Sequence, residues 1–382
     1  MELVDVIICG GGPAGSTCAL ALANSGLKVV VIEKGSFPRE KMCGDLVAPY
    51  IPKVLHAIDP KYKDALSAFT YKDTISTRRI VGPNNKYIDI PLRENAFIAK
   101  RGDWDNFLYK LASAESNIHY QLNQQVVDVT VNQTLQEVIV TTDKTSFKGK
   151  LVIGCDGANS VVGKKLTSTT HDAKHYAIAV RGYYQNVKDI PAATYELHFI
   201  KGVLPGYLWI FPFGNNTANV GLGVSSHLAA KRKLNLRTAL EDILKNNPHL
   251  QARFKDAELI GKIEGGGLPL GSRKTVISGN HFMLCGDAAS LIDPATGEGI
   301  GHAMISGRYA GWQAVKCFEA NDFSAPFMQQ YDKQVYDKLW GKSRMNYLYQ
   351  RIILNNARLF NFTVKIFKKS TFLLKLVLGK NY

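Results

Sequence analysis

The chain has 382 residues, 46% hydrophobic and 21% charged, with a formal net charge of +15. At roughly 100–200 residues per domain it has room for two or three domains with a sizeable core, and its composition excludes disorder as the main state. No run of about 18 uncharged apolar residues occurs, which argues against a membrane-spanning helix, and the start (Met1-Glu2-Leu3-Val4-Asp5) lacks the basic segment of a signal peptide.

Residues 3–9 form an apolar run of strand length, and Gly10-Gly11-Gly12 a turn. Residues 13–25 are Ala- and Leu-rich and predict a helix, with Pro13 near its start, where a missing N–H costs nothing. Gly26 ends it, and residues 28–33 predict a buried parallel strand. Residues 34–50 read as loop. Residues 73–97 predict strands around the turn Gly82-Pro83-Asn84-Asn85, 103–115 a helix, 126–131 and 137–142 a hairpin, and 150–155 another buried strand. From 177 to 224 the pattern is mostly β. A helix over 234–245, a short strand over 281–285 and a long helix near 299–318 follow, and the last 50 residues look helical throughout. From 341 to 382 there are nine Lys/Arg and no Asp/Glu. The six cysteines at 9, 18, 43, 155, 285 and 317 form no CxxC pair, so neither a metal site nor a disulfide framework is expected, and a reducing cytosol is.

Three motifs carry chemistry. Gly10-x-Gly12-x-x-Gly15 lies between a strand and a helix, and Glu33 ends the next strand, which is the context of a dinucleotide fingerprint. The helix start offers N–H groups and partial positive charge to a pyrophosphate, and Glu33 can accept from ribose hydroxyls. Asp156, in Gly154-Cys155-Asp156-Gly157, follows a second strand, and Asp287, in Cys285-Gly286-Asp287-Ala288-Ala289, follows a third. An acid at a strand end can accept from ribityl hydroxyls, which FAD has and NAD lacks, or it can simply cap the following helix. Gly297-Glu298-Gly299 can bring helix N–H groups to the pyrimidine end of a flavin. The three segments in this order point to FAD.

With these motifs the chain resembles FAD-dependent oxidoreductases of the p-hydroxybenzoate hydroxylase fold, and more narrowly the geranylgeranyl reductase family. The narrower resemblance rests on Lys41-Met42-Cys43-Gly44-Asp45, on Ala99-Lys100-Arg101-Gly102-Asp103-Trp104-Asp105, on Gly206-Tyr207-Leu208-Trp209-Ile210-Phe211-Pro212, which fits a YxWxFP motif, and on Asn219-Val220-Gly221-Leu222-Gly223. It implies an α/β fold: a Rossmann-like FAD-binding domain (1–72, 98–176 and 271–330), an inserted mixed β-sheet substrate domain (73–97 and 177–270), and a basic helical C-terminal segment (331–382). It further implies Gly10, Gly12, Ala14 and Gly15 at the pyrophosphate, Glu33 at the ribose, and Cys43 and Gly44 near the isoalloxazine. Arg101 would meet the phosphate or ribityl region, Val126 the adenine, Asp156 and Asp287 the ribityl region, and Gly299 and Ile300 the flavin ring.

Tyr207, Trp209 and Phe211 alternate and so share one face of a strand, suited to roof a cavity for a long apolar chain or to fill a sheet core. Buried, Tyr207 and Trp209 need hydrogen-bond partners. Cys43 reads as a redox thiol or acid, or, preferably, as a small residue in a tight loop. Tyr207, Trp209 and Cys43 are the expected catalytic residues; Glu298 and His302 read as structural. The expected activity is hydride transfer from reduced flavin to a carbon–carbon double bond of an isoprenoid or lipid-like substrate. The alternatives are an oxygen-using monooxygenase or halogenase, and a non-catalytic flavin-binding protein. No second GxGxxG stands between a strand and a helix, so NAD(P)H would bind transiently, or an electron-donor protein would serve. The basic, apolar stretch 341–382 fits an anionic membrane surface or a helix packed on the domain. Nothing marks a nucleic-acid binder. The expected location is the cytoplasm, or peripherally the inner face of the membrane.

Overall fold

A computed structural model of the chain describes residues 1–168 and 172–369; the most apolar part of the basic tail, 372–378, lies outside them. Six strands form a sheet in the spatial order Ser278–Gly279, Phe282–Leu284, Leu151–Gly154, Val6–Cys9, Val29–Ile32, Ile118–Gln121. All neighbours are parallel except the first pair. The strands Val6–Cys9, Val29–Ile32 and Leu151–Gly154 are buried at every position. This is why they read as continuous apolar runs: with both faces covered, no position is left for a polar alternate.

The helices Pro13–Leu22 and Ile300–Ala320 lie against each other in backbone contact. A Cβ on Gly307 would stand 2.2 Å from the Ala14 carbonyl oxygen, and one on Gly311 2.6 Å from the Ala21 Cβ. Only glycine permits this approach. A four-stranded sheet built on the expected hairpin, here Val126–Asn132 with Glu137–Thr142, flanks this body.

The third sheet has eight strands, in the order Glu258–Pro269, Tyr176–Gln185, Thr217–Ser225, Tyr207–Phe213, Thr194–His198, Asp73–Val81, Tyr87–Ile98, Leu46–Val47. It is antiparallel except where Thr194–His198 runs parallel to Asp73–Val81. The strand Leu46–Val47, read from sequence as loop, closes one edge by pairing with Phe97 and Ile98. The twelve-residue strand Glu258–Pro269 carries no apolar alternation and was not expected. The helix expected over 103–115 starts two residues earlier, at Arg101, and runs to Ser113.

The C-terminal stretch divides. Residue 331 falls inside one continuous helix, Ala325–Tyr349, whose Met328, Tyr331, Val335 and Leu339 join the core around the parallel sheet. A π-helical turn, Gln350–Leu354, leads to a helix over Ala357–Lys369. Leu354, Phe360 and Val364 then pack in a different core, with Ile75, Ile88, Leu197 and Trp209 of the eight-stranded sheet. In the described part, the tail therefore packs on the body through some of its apolar residues, while Met345, Leu348, Ile352 and Phe362 stay exposed.

Candidate functional site

Gly10 turns with φ +102°, and a Cβ there would stand 2.4 Å from the Cys155 carbonyl oxygen. A Cβ on Gly15 would stand 1.8 Å from the Gly10 carbonyl oxygen. The turn thus presses the start of the helix Pro13–Leu22 onto two strand ends. Gly12 provides no side-chain cap to that helix, and Gly299 provides none to Ile300–Ala320. Both starts keep N–H groups for an anionic or carbonyl-bearing ligand. Because the two helices touch, Ala14 and Gly286 come together: a Cβ on Gly286 would lie 3.6 Å from that of Ala14. This paired cradle fits FAD, whose pyrophosphate needs one helix start and whose flavin can use the other.

At the adenosine end, Glu33 is buried and accepts from Gly11 N–H at 2.9 Å, Gly35 N–H at 3.2 Å and Arg39 at 3.2 Å. The Gln124 N–H donates to the Glu33 carbonyl oxygen at 3.0 Å, which brings Val126, two residues on, to the same end. Arg39 also reaches Asp105 at 3.2 Å, and Arg101 binds Asp105 through two bonds of 2.7 Å. Asp156 is placed differently from its two fellow acids. One oxygen accepts from Ser160, the other from the N–H groups of Val161 and Val162. Its carboxylate is thus occupied at the start of the helix Val161–Leu166, the capping alternative considered above. Asp287 meets Lys41 at 3.4 Å and lies 3.7 Å from the Cβ position of Gly299.

At the opposite end, the Cys43-Gly44-Asp45 loop meets the aromatic strand. The Cβ position of Gly44 is 2.9 Å from the Phe211 ring and 3.5 Å from Trp209 Nε1. Tyr207, Trp209 and Phe211 form one row, with ring centroids 6.2 and 6.1 Å apart. Both polar members have partners. Tyr207 donates to the Thr296 carbonyl, which ties the row to the late glycine loop, and Trp209 Nε1 donates to Asn219 Oδ1 at 2.9 Å. Phe199 packs on Tyr207 and Phe360 on Phe199, at centroid distances of 5.7 and 4.6 Å, so the C-terminal helix extends this aromatic compartment. Burial pushes the Cys43 thiol up, against the pull of Arg101. Glu298 pairs with Tyr50 and Lys342, and His302 bonds the Leu291 carbonyl at 2.7 Å, both structural roles.

The sequence reading missed the centre of this end. Asp45 is fully buried, with φ +67°. Its Oδ2 accepts from Tyr183 OH at 2.6 Å and Asn219 Nδ2 at 2.8 Å. The same Asn219 amide donates to the Cys43 carbonyl at 2.8 Å. Asp45 Oδ1 has no hydrogen-bond partner among the described residues. Burial pushes this carboxyl up to about 6, against the hydrogen bonds of Tyr183 and Asn219 and the charges of Arg181 and Arg101. The only sequence signal was an acid directly after the Cys-Gly pair. Among the described residues, no group of three or more His, Cys, Asp or Glu could hold a metal ion.

Comparison with known proteins follows the two halves of this site. The FAD-dependent oxidoreductase family model matches residues 5–165, and the geranylgeranyl reductase catalytic domain model matches residues 175–266. The digeranylgeranylglycerophospholipid reductase of Thermoplasma volcanium is 32% identical over 372 residues, covering 91% of this chain and 87% of that protein. The menaquinone reductase of Mycolicibacterium smegmatis is 32% identical over 322 residues, covering 80% and 75%. Among solved structures, a geranylgeranyl bacteriochlorophyll reductase-like protein from Thermoplasma acidophilum superposes with TM-score 0.80 at 28% identity, covering 92% of this chain and 87% of that one. A flavin-dependent halogenase superposes with TM-score 0.76 at 21% identity, covering 89% and 63%, a likeness of fold alone.

Proposed function

We propose, from the premise that this chain belongs to the geranylgeranyl reductase family of FAD-dependent oxidoreductases, that it reduces carbon–carbon double bonds in the isoprenoid chain of a lipid. The observation that carries the choice of substrate is the apolar aromatic cluster of Tyr207, Trp209 and Phe211, continued by Phe199 and Phe360, beside the Cys43-Gly44 loop. A digeranylgeranyl lipid and a menaquinone differ in head group and share a polyisoprenoid chain, which this cluster suits.

When bound, FAD supplies the hydride, and the protein supplies orientation and a dry site. The uncapped helix starts at Pro13 and Ile300 would hold the pyrophosphate and the flavin carbonyl end, and Glu33 the ribose. Lys41 and Asp287, paired at 3.4 Å, would hold the ribityl side, and Cys43 and Gly44, packed on the aromatic row, would face the flavin. The aromatic row excludes water from the alkene and fixes its face. Electrons would come from NAD(P)H bound in passing, or from a carrier protein.

No helix among the described residues is long and apolar enough to cross a membrane. A lipid-bound substrate calls for access at the membrane surface. The exposed Met345, Leu348, Ile352 and Phe362, in a stretch rich in Lys/Arg and without acids, support docking on an anionic lipid surface. Salt-insensitive sedimentation with anionic vesicles, or none, would remove that element.

The test of function is anaerobic. The purified holoenzyme is reduced with dithionite and given a digeranylgeranyl glycerophospholipid, then a menaquinone. Reoxidation of the flavin without oxygen, with a gain of about two hydrogens per reduced bond that persists after the quinone head has been reoxidised in air, is the expected result. A flavin that stays reduced until air enters, followed by oxygen in the product, would replace the reductase with an oxygenase.

A further inference from the structure

The geometry points to Asp45 as the acid that completes the reduction: we propose that its carboxyl O–H protonates the second alkene carbon as hydride reaches the first. This rests on the reductase reading above.

Three observations carry it. The first is position. Asp45 directly follows Gly44, whose Cβ position is 2.9 Å from the Phe211 ring and 3.5 Å from Trp209 Nε1, and its carboxyl is one side chain, Asn219, away from Trp209. Asn219 fastens it there, linking Trp209 Nε1, the Cys43 carbonyl and Asp45 Oδ2 in one cluster. The second is the distribution of partners. Tyr183 and Asn219 both donate to Oδ2, which leaves Oδ1 as the oxygen to carry a proton. That oxygen is buried without a partner among the described residues. A buried polar atom left without a partner is costly and calls for an explanation, of which a catalytic role is one.

The third is charge. Arg181 and Arg101 act on the carboxyl from two sides. Arg181 and Lys100 lie over the Tyr183 ring at 4.4 and 5.4 Å, and Glu40 opposes them from beyond Tyr183. Glu264 pairs with Arg181 at 3.0 Å and Asp105 with Arg101 at 2.7 Å, which tempers both cations, and Cys43 is a further titratable neighbour. This surround lets the group be neutral before the step and stabilises the carboxylate after it. The other nearby acids serve less well. Burial pushes the hydroxyls of Tyr183 and Tyr207 and the Cys43 thiol away from release, whereas Asp45 at about 6 can both give and regain a proton near neutrality.

The balance is simple. The alkene π bond is consumed, and one C–H bond forms with the hydride that leaves the reduced flavin oxidised by two electrons. The second C–H bond forms as the Asp45 O–H breaks. The carboxylate that remains is reprotonated from solvent.

The experiment compares wild type with Asp45→Asn, which keeps a carbonyl oxygen for Tyr183 and Asn219. Single-turnover flavin reoxidation by the same digeranylgeranyl lipid is followed without oxygen, and the product is weighed after reaction in heavy water. Wild type is expected to carry two solvent deuterons per reduced bond, one through the exchangeable N–H of the reduced flavin and one through the acid, and the variant to react at least about 100-fold more slowly with an unchanged flavin spectrum. Independently of turnover, the infrared carboxyl band of the protein is followed against pH. It should show a component with a midpoint near 6 that Asp45→Asn removes. A variant that keeps pace with wild type, or one that leaves the infrared titration unaltered, overturns the proposal alone. A wild type that leaves the lipid unchanged overturns the reductase reading and the proposal with it.

Discussion

Two carboxylates are buried in and beside the eight-stranded sheet, and they have opposite fates. Glu196 sits on the strand Thr194–His198, 2% exposed, with Arg253 at 2.6 and 3.0 Å and His198 at 3.1 Å. Burial works against its charge, yet the bonds from His198 and Arg253 hold it down to about 2. Asp45 is no more exposed, its hydrogen bonds come from the neutral groups of Tyr183 and Asn219, and it is pushed up to about 6. Burial alone therefore does not decide charge. A guanidinium fork fixes one acid as a permanent anion, while neutral donors leave the other able to change state.

The largest effect expected from breaking this contrast is at Glu196. Arg253→Met should cost about 3–5 kcal/mol in urea unfolding at neutral pH, because it leaves a buried anion without its cation. Next comes the pH dependence at Asp45. A folded value above the unfolded one means that the folded state binds more protons between about pH 4 and 6, so stability should fall as pH rises through that window. A gap of about two units corresponds to a loss on the order of 3 kcal/mol, which the Asp45→Asn curve should lack. Glu196 carries the opposite sign: its contribution is present above the ordinary carboxylate value and is lost as pH falls towards about 2. Tyr183→Phe should raise Asp45 further, moving its infrared midpoint upward, at a cost of about 1 kcal/mol for the lost bond. The smallest change is expected for His198→Gln. The Arg253 fork remains, and the loss should stay near or below about 1 kcal/mol in the same unfolding assay.

The two halves of the molecule were unequally legible from sequence. The strands Val6–Cys9, Val29–Ile32 and Leu151–Gly154 announce themselves because they are apolar at every position, and the glycines between strand and helix carry a spacing that few other structures need. The strand Glu258–Pro269 was hidden because Gly261, Gly265, Gly266 and Gly267 interrupt any alternation. The helices Ile51–His56 and Pro60–Ser67 are too short to show a period. In the site, the alternation of Tyr207, Trp209 and Phe211 gave the aromatic row correctly as one face. Asp45 was invisible in its role because its partners Tyr183 and Asn219 lie 138 and 174 residues away, and a lone acid in a loop has no periodic signature. The basic, apolar tail left a membrane surface and a packed helix as equal alternatives, and Leu354, Phe360 and Val364 put part of it in the packed one.

The contact between the helices Pro13–Leu22 and Ile300–Ala320 has a mechanical consequence. The starts of these helices act as the two jaws of a calliper, and the gap between them is set where Gly307 meets the Ala14 carbonyl oxygen at a Cβ clearance of only 2.2 Å. Backbone against backbone has almost no compliance, so the calliper is ground to one gauge and cannot be reset by a rotamer change. A methyl group at 307, two turns into its own helix, would press directly on the start of the other at Ala14 and force the gauge open.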